Sequence, residues 1–148
     1  MATTTTPTDP NPPADPATLA LAIMDAFNRR DFDAVLGALH PDYEASWPHG
    51  TLAGLAAAEH EATILDAFPD VEMDVQRAVA IPGGALLELV VRGTNTGPLT
   101  MAWGERFAAT GRILALPMSI VMEWEDQLLR RERLYFDQRT ILDQTGNV

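Results

Sequence analysis

The sequence predicts an α+β fold: three N-terminal helices packed on one face of a curved antiparallel sheet, which bends into a cone-shaped, half-open barrel. Three observations predict it. Apolar residues recur at helical spacing before residue 68 and in a short stretch at the C-terminus. Four long segments between residues 71 and 137 alternate apolar and polar side chains. Short turn sequences join those segments in succession. Helices and strands segregated in this way pack as separate layers, and a bent sheet leaves a pocket beneath the helices.

Residues 1–14, "MATTTTPTDPNPPA", are rich in Thr and Pro and offer almost nothing to bury, so a disordered tail is expected, followed by a single domain over residues 15–148. Asp15-Pro16 reads as an N-cap and first turn, after which Leu19, Ile23, Met24 and Phe27 share a helix face to about Arg29. Asp31 caps a second helix carrying Phe32, Val35, Leu36 and Leu39, which stops before Pro41. "DYEASWPH" alternates as a strand with Tyr43, Ala45 and Trp47 on one face. A third helix spans about residues 54–67. Strands follow over 71–81 and 85–94, joined by the hairpin turn "PGG". After "GTNTGP" and a loop holding Trp103 come the longest strand, 112–124, and the last, 128–137, before a short helix over 138–144.

Composition narrows the chemistry. A chain of 148 residues with 47% apolar and 21% charged residues can bury a real core. No apolar run approaches the ~20 residues of a membrane span. The first residues lack the basic start and apolar stretch of a secretory signal, so a cytoplasmic location is expected. With no Cys, thiolate catalysis and thiolate metal sites are excluded. With no Lys, so is a side-chain Schiff base. A net charge of −11 repels phosphate backbones and argues against nucleic acid as a partner. His40, His49 and His60 lack the short spacings of zinc sites, so no metal is expected. "GTNTG" has no following Lys and reads as a turn.

Five stretches then occur in a telling order: "FNRRDFDAVLGALHPDY", "AFPDVEMDV", "RGTNTGP", "ATGRILALP" and "RERLYFDQRTILDQTG". Together, over about residues 18–146, they resemble the SnoaL-like polyketide cyclases and ester cyclases of the nuclear transport factor 2-like superfamily. The resemblance implies a cone-shaped α+β barrel, a homodimer, a hydrophobic pocket and no cofactor. It implies an aspartate general base on the last strands, a role that Asp137 matches by position. Asn95 stands where many relatives have His, Thr145 where many have Leu, and Arg133 where many have a large aromatic residue.

Two readings of the last strand stay open. Arg131, Arg133, Tyr135 and Asp137 share one face, and Glu132, Leu134 and Phe136 the other. If Leu134 and Phe136 face the core, Asp137 is exposed or caps the terminal helix. If Tyr135 and Asp137 face the pocket, Asp137 is a base that abstracts a proton or activates water. The second reading gives a cofactor-free cyclase or isomerase acting on a hydrophobic, polyketide-type small molecule. Tyr135, Asn95 or His49 then polarises the oxyanion. Tyr43, Trp47 and Trp103 fold the substrate, and Arg133 and His60 complete its site. Epoxide opening by the same aspartate and non-catalytic ligand binding are the alternatives. The strands are apolar on both faces, so a two-fold dimer through the sheet is expected.

Overall fold

Asp15 accepts a hydrogen bond from Ala17 N at 3.1 Å and opens α1, Pro16–Asn28. Ala20, Ile23, Met24 and Ala26 are its buried residues. Its end is tied to the sheet by Asn28, whose side chain accepts from Met73 N at 2.8 Å and donates to Met73 O at 3.0 Å. Asp31 accepts from Ala34 N at 3.2 Å and caps α2, Phe32–Gly37. The computed structural model describes residues 13–147, so the tail expected over 1–14 lies almost wholly outside the described residues.

The strands are β1 (Leu39–Trp47), β2 (Gly50–Ala53), β3 (Glu72–Ile81), β4 (Gly84–Thr94), β5 (Leu99–Thr100), β6 (Arg106–Phe107), β7 (Ile113–Glu125) and β8 (Leu128–Tyr135). Six form one curved, unclosed sheet in the order β2-β1-β8-β7-β4-β3; β5 and β6 form a separate small hairpin. The expected meander is present: β3 pairs β4, β4 pairs β7 and β7 pairs β8, all antiparallel. One pairing differs from the sequence expectation. β1 lies parallel to β8, which makes the sheet mixed. A hairpin forces its two strands antiparallel, but nearly the whole domain lies between β1 and β8, so no short turn constrains their direction.

Three boundaries also differ. β1 starts at Leu39 and runs through Pro41, which falls where the β1–β8 register shifts between Leu39 and Glu44; such an irregularity tolerates a residue with no N–H. The third helix divides at Thr63 into α3 (Gly54–Ala62) and α4 (Ile64–Ala67). There Thr63 Oγ1 donates to His60 O at 2.6 Å, a local bond that competes with the helix ladder. The loop with Trp103 is the tip of the β5–β6 hairpin. The terminal helix α5 is Gln138–Thr145.

Register decides which side chains face the helices. Leu87 opposes Ile120, Leu89 opposes Met118, Val91 opposes Leu116 and Ile120 opposes Leu134. Leu87, Leu89, Val91, Leu116 and Ile120 are buried, so theirs is the inner face. The outer face carries Leu86 opposite Val121, Val90 opposite Pro117 and Ser119 opposite Tyr135.

Two of the quoted motifs turn out to be clamps. Asn95, fully buried, donates from Nδ2 to Ala67 O and Gly97 O, and its Oδ1 accepts from Thr110 N and Thr110 Oγ1. It thereby joins "AFPD", "GTNTGP" and "ATGR". Gly97 is needed for this closeness, because a Cβ there would sit 1.8 Å from Asp66 O. Asp70 accepts from Thr94 N at 2.7 Å; this bond holds its carboxyl below the usual range, and Arg30 adds a smaller pull in the same direction. At the C-terminus Gln144 accepts from Ala115 N at 2.7 Å and donates to Ala115 O at 3.0 Å, fastening α5 to β7.

Candidate functional site

Between the inner sheet face and the helices lies a cavity of about 620 Å³, well within the range that holds a drug-sized ligand. Its lining is mostly apolar and includes Ile23, Phe27, Met73, Leu116, Leu134 and Phe136. No Arg lines it. Tyr43, Glu61 and Glu132 do.

Glu132 comes from β8, in phase with Leu134 and Phe136. Its sheet neighbours are Met122 on β7 and Ala45 on β1. Ala45 is small, which leaves room above the sheet for the longer Glu132 side chain to rise toward α3. Glu61 descends from that helix, and the two carboxyls hydrogen-bond each other. Tyr43, from the inner face of β1 and 1% exposed, donates its hydroxyl to Glu61 Oε1 at 3.0 Å.

Electrostatics follows from burial. Glu132 is 5% exposed. Burial pushes its carboxyl well above the usual range, and the charge on Glu61 adds to the push. Burial raises Glu61 too, but the bonds from Glu132 and Tyr43 favour its ionised form and hold it back. Both carboxyls are therefore raised and the pair shares a proton, since two adjacent carboxylates cannot both ionise cheaply. Burial, and then the Glu132 and Glu61 charges, push the Tyr43 phenol far above its ordinary value, so it acts as a donor.

A second polar group lies further along the wall. His49, in the turn after β1, and His60, on α3, meet Nε2 to Nε2 at 2.9 Å. Gln138 Nε2 lies 2.7 Å from His49 Nδ1. Trp47 stacks beside His49, with the rings 5.8 Å apart and 11° from parallel, and meets His60 edge-on at 4.6 Å. Burial, then the neighbouring His60, lowers the His49 pKa.

Of the residues expected from sequence, Tyr43, Trp47, His49 and His60 are brought together around the cavity. Five others are not. Asp137 is exposed and accepts from Arg139 N at 2.8 Å as the N-cap of α5. Tyr135, 56% exposed, and Arg133, bonded to Glu123 Oε1 at 3.0 Å, lie on the outer face. The parity of β8 separates them from the cavity: Glu132 is inside, so Arg133 and Tyr135 are outside. Asn95 is consumed by its clamp. Trp103, expected as a wall, is 54% exposed at the hairpin tip and donates to Glu105 Oε2 at 3.3 Å; its neighbours Ala102 and Gly104 reach the cavity instead. Glu61 and Glu132 were missed. The available signal was an acid in the apolar phase of β8. Among the described residues, the cluster His40, Glu125 and Asp126 brings three metal-ligating groups together, away from the cavity and largely exposed.

A family model described as a SnoaL-like domain matches residues 20–132. No curated protein matches the sequence. Among solved structures, the chain is similar to a candidate SnoaL-like polyketide cyclase from Jannaschia sp. (14% identity, TM-score 0.78, covering 95% of this chain and 99% of that one). It is similar to IdmH, a candidate polyketide cyclase from Streptomyces antibioticus (20% identity, TM-score 0.71, 90% and 99% covered). It is also similar to a protein of ketosteroid isomerase-like fold from Catenulispora acidiphila (18% identity, TM-score 0.67, 86% and 92% covered). At these identities the likeness is one of fold.

Proposed function

The chain belongs to the SnoaL-like domain family, and we propose that its cavity binds an uncharged hydrophobic small molecule and moves a proton on it. Isomerisation or ring closure of a carbonyl compound fits this chemistry. The observation that carries the reading is the hydrogen-bonded pair Glu61–Glu132, joined by Tyr43, at the wall of an apolar cavity. One ionised and one neutral carboxyl side by side are a base and an acid.

Glu61 is the base: it keeps part of its surface open where Glu132 is buried. It takes a proton from carbon next to a carbonyl. Once protonated, Glu61 no longer holds both bonds it accepted, and the Tyr43 and Glu132 O–H groups turn to the oxygen on which charge develops. Return of the proton at another carbon isomerises the substrate; attack of the enolate on a second carbonyl closes a ring. Because no Arg among the described residues lines the cavity, a substrate carboxylate or phosphate would lie against Glu61 without a counter-charge. Epoxide opening uses the same pair, with Glu132 protonating the oxygen and Glu61 activating water. Against pure binding stands the cost of burying two carboxyls, several kcal/mol per ionised group before compensation.

The test compares Glu61→Gln with Asp137→Asn. The probe is 5-nitrobenzisoxazole, whose ring opening needs only a positioned base in an apolar site. Glu61→Gln is expected to lower the rate by roughly 100-fold or more, the usual scale of general-base catalysis. Asp137→Asn is expected to leave it unchanged, because Asn caps a helix as well as Asp. The opposite pattern would return the base to Asp137.

The same reading includes a two-fold dimer through the outer sheet face. Ile113 there is 72% exposed, beside Leu86, Val90, Pro117 and Val121. Light scattering at micromolar concentration should give twice the 16.1 kDa chain mass; a monomer would remove the dimer from the account.

A further inference from the structure

The cavity has two polar poles. Tyr43 and Trp47 stand on the same face of β1, four residues apart, which is roughly 13 Å along a strand. The carboxyl pair sits at the Tyr43–Ala45 level, because Ala45 is the strand partner of Glu132. The His49–His60 pair sits at the Trp47 level and beyond. Leu134 and Phe136, which follow Glu132 on the same face, line the wall.

The hydrogen bonds at the second pole assign its protons. An amide nitrogen only donates, so Gln138 Nε2 donates to His49 Nδ1, which must be an acceptor. Neutral His49 then carries its proton on Nε2 and gives it to His60 Nε2. His60 Nε2 is thereby an acceptor, and the His60 proton is on Nδ1. Among the described residues, His60 Nδ1 has no hydrogen-bond partner, and His60 lines the cavity. One free donor is thus fixed by a chain of three side chains.

We infer that His60 determines substrate specificity, its Nδ1–H binding an acceptor oxygen (a carbonyl or ether oxygen) at the end of the substrate remote from the carboxyl pair. The inference rests on the cavity being the substrate site. The substrate class it defines is an uncharged, elongated, ring-containing molecule with a reactive oxygen function at one end and an acceptor oxygen at the other. An acceptor is required because the pole offers a donor whose direction Gln138 and His49 impose. Its Trp47 wall gives a flat ring a face to lie against.

Two probes separate the poles: 2-naphthol, with one oxygen, and 6-methoxy-2-naphthol, which adds an acceptor at the far end of the same frame. Binding is read by quenching of tryptophan fluorescence. The methoxy compound should bind the wild-type protein about 5- to 10-fold more tightly, the scale of one added hydrogen bond. His60→Phe keeps a ring against Trp47 and should erase that advantage, so that the variant binds the two naphthols alike. His60→Asn, whose amide N–H lies near the position of ring Nδ1, should restore part of it. A methoxy advantage that is absent from the wild type, or that survives in His60→Phe, overturns the inference. Glu132→Gln separates this from the catalytic reading: it should alter the affinity for both naphthols equally. If it alters neither while His60→Phe still discriminates, the subsite stands and the carboxyl pole fails. If neither naphthol binds the wild type, both fail.

Discussion

Glu132→Gln is expected to cost about 100-fold in turnover and, at neutral pH, to make the protein more stable. The amide keeps the shape and one donor but cannot carry the proton that the carboxyl pair shares, and that acid function supplies about 10²-fold or more. The gain in stability follows from linkage. The folded Glu132 carboxyl is raised well above its ordinary value by burial and by Glu61, whereas in the unfolded chain it titrates near ~4.3. The folded state therefore holds more protons above that pH. Wild-type stability falls as pH rises from the unfolded value to the raised folded one, by up to ~1.4 kcal/mol per pH unit for each proton. The variant lacks this slope at position 132. Thermal melts should coincide near pH 4 and separate, with the variant higher, as pH rises. Equal melts across the range would mean that Glu132 is not held protonated. Loss of activity with gain in stability also distinguishes a working residue from a structural one.

Asn95→Ala is expected to lose roughly 3 kcal/mol or more of stability, because buried groups left without partners cost about 1–3 kcal/mol each. Ala67 O, Gly97 O and Thr110 N all bond this side chain, which is fully buried. The melting temperature should drop sharply. The folded fraction should retain its turnover, because Asn95 does not line the cavity. A stable variant with lost turnover would restore Asn95 to the oxyanion role expected from the sequence.

That contrast shows why the site was harder to read than the fold. Period-2 alternation over β3, β4, β7 and β8 was visible in the sequence because the inner face is continuously apolar. The β1–β8 pairing was not, since it joins residues more than 80 positions apart and depends on no turn. The ordered motifs identified the family, yet two of them, around Asp70 and Asn95, act as clamps between loops. On β8 both parities were legible, with Glu132 in phase with Leu134 and Phe136. Asp137 drew attention as the acid at the strand end, but β8 stops at Tyr135 and Asp137 belongs to the cap of α5. Glu61 was hidden for a different reason. The stretch "LAAAEHEA" is so rich in Ala that no face is marked, and which acid points at the sheet depends on how α3 docks. The contact of His49 with His60 is tertiary, so spacing could not reveal it.

A proton shared by the Glu61–Glu132 pair at neutral pH has a direct spectroscopic signature. Infrared spectroscopy of the carboxyl stretch, comparing the wild-type protein with Glu132→Gln, tests it with no substrate needed. A neutral-carboxyl band is expected in the wild type at neutral pH, absent from Glu132→Gln, weakening only at a pH well above the ordinary carboxyl range. A wild-type spectrum at neutral pH with no neutral-carboxyl band would mean that both glutamates are ionised, and would contradict the account.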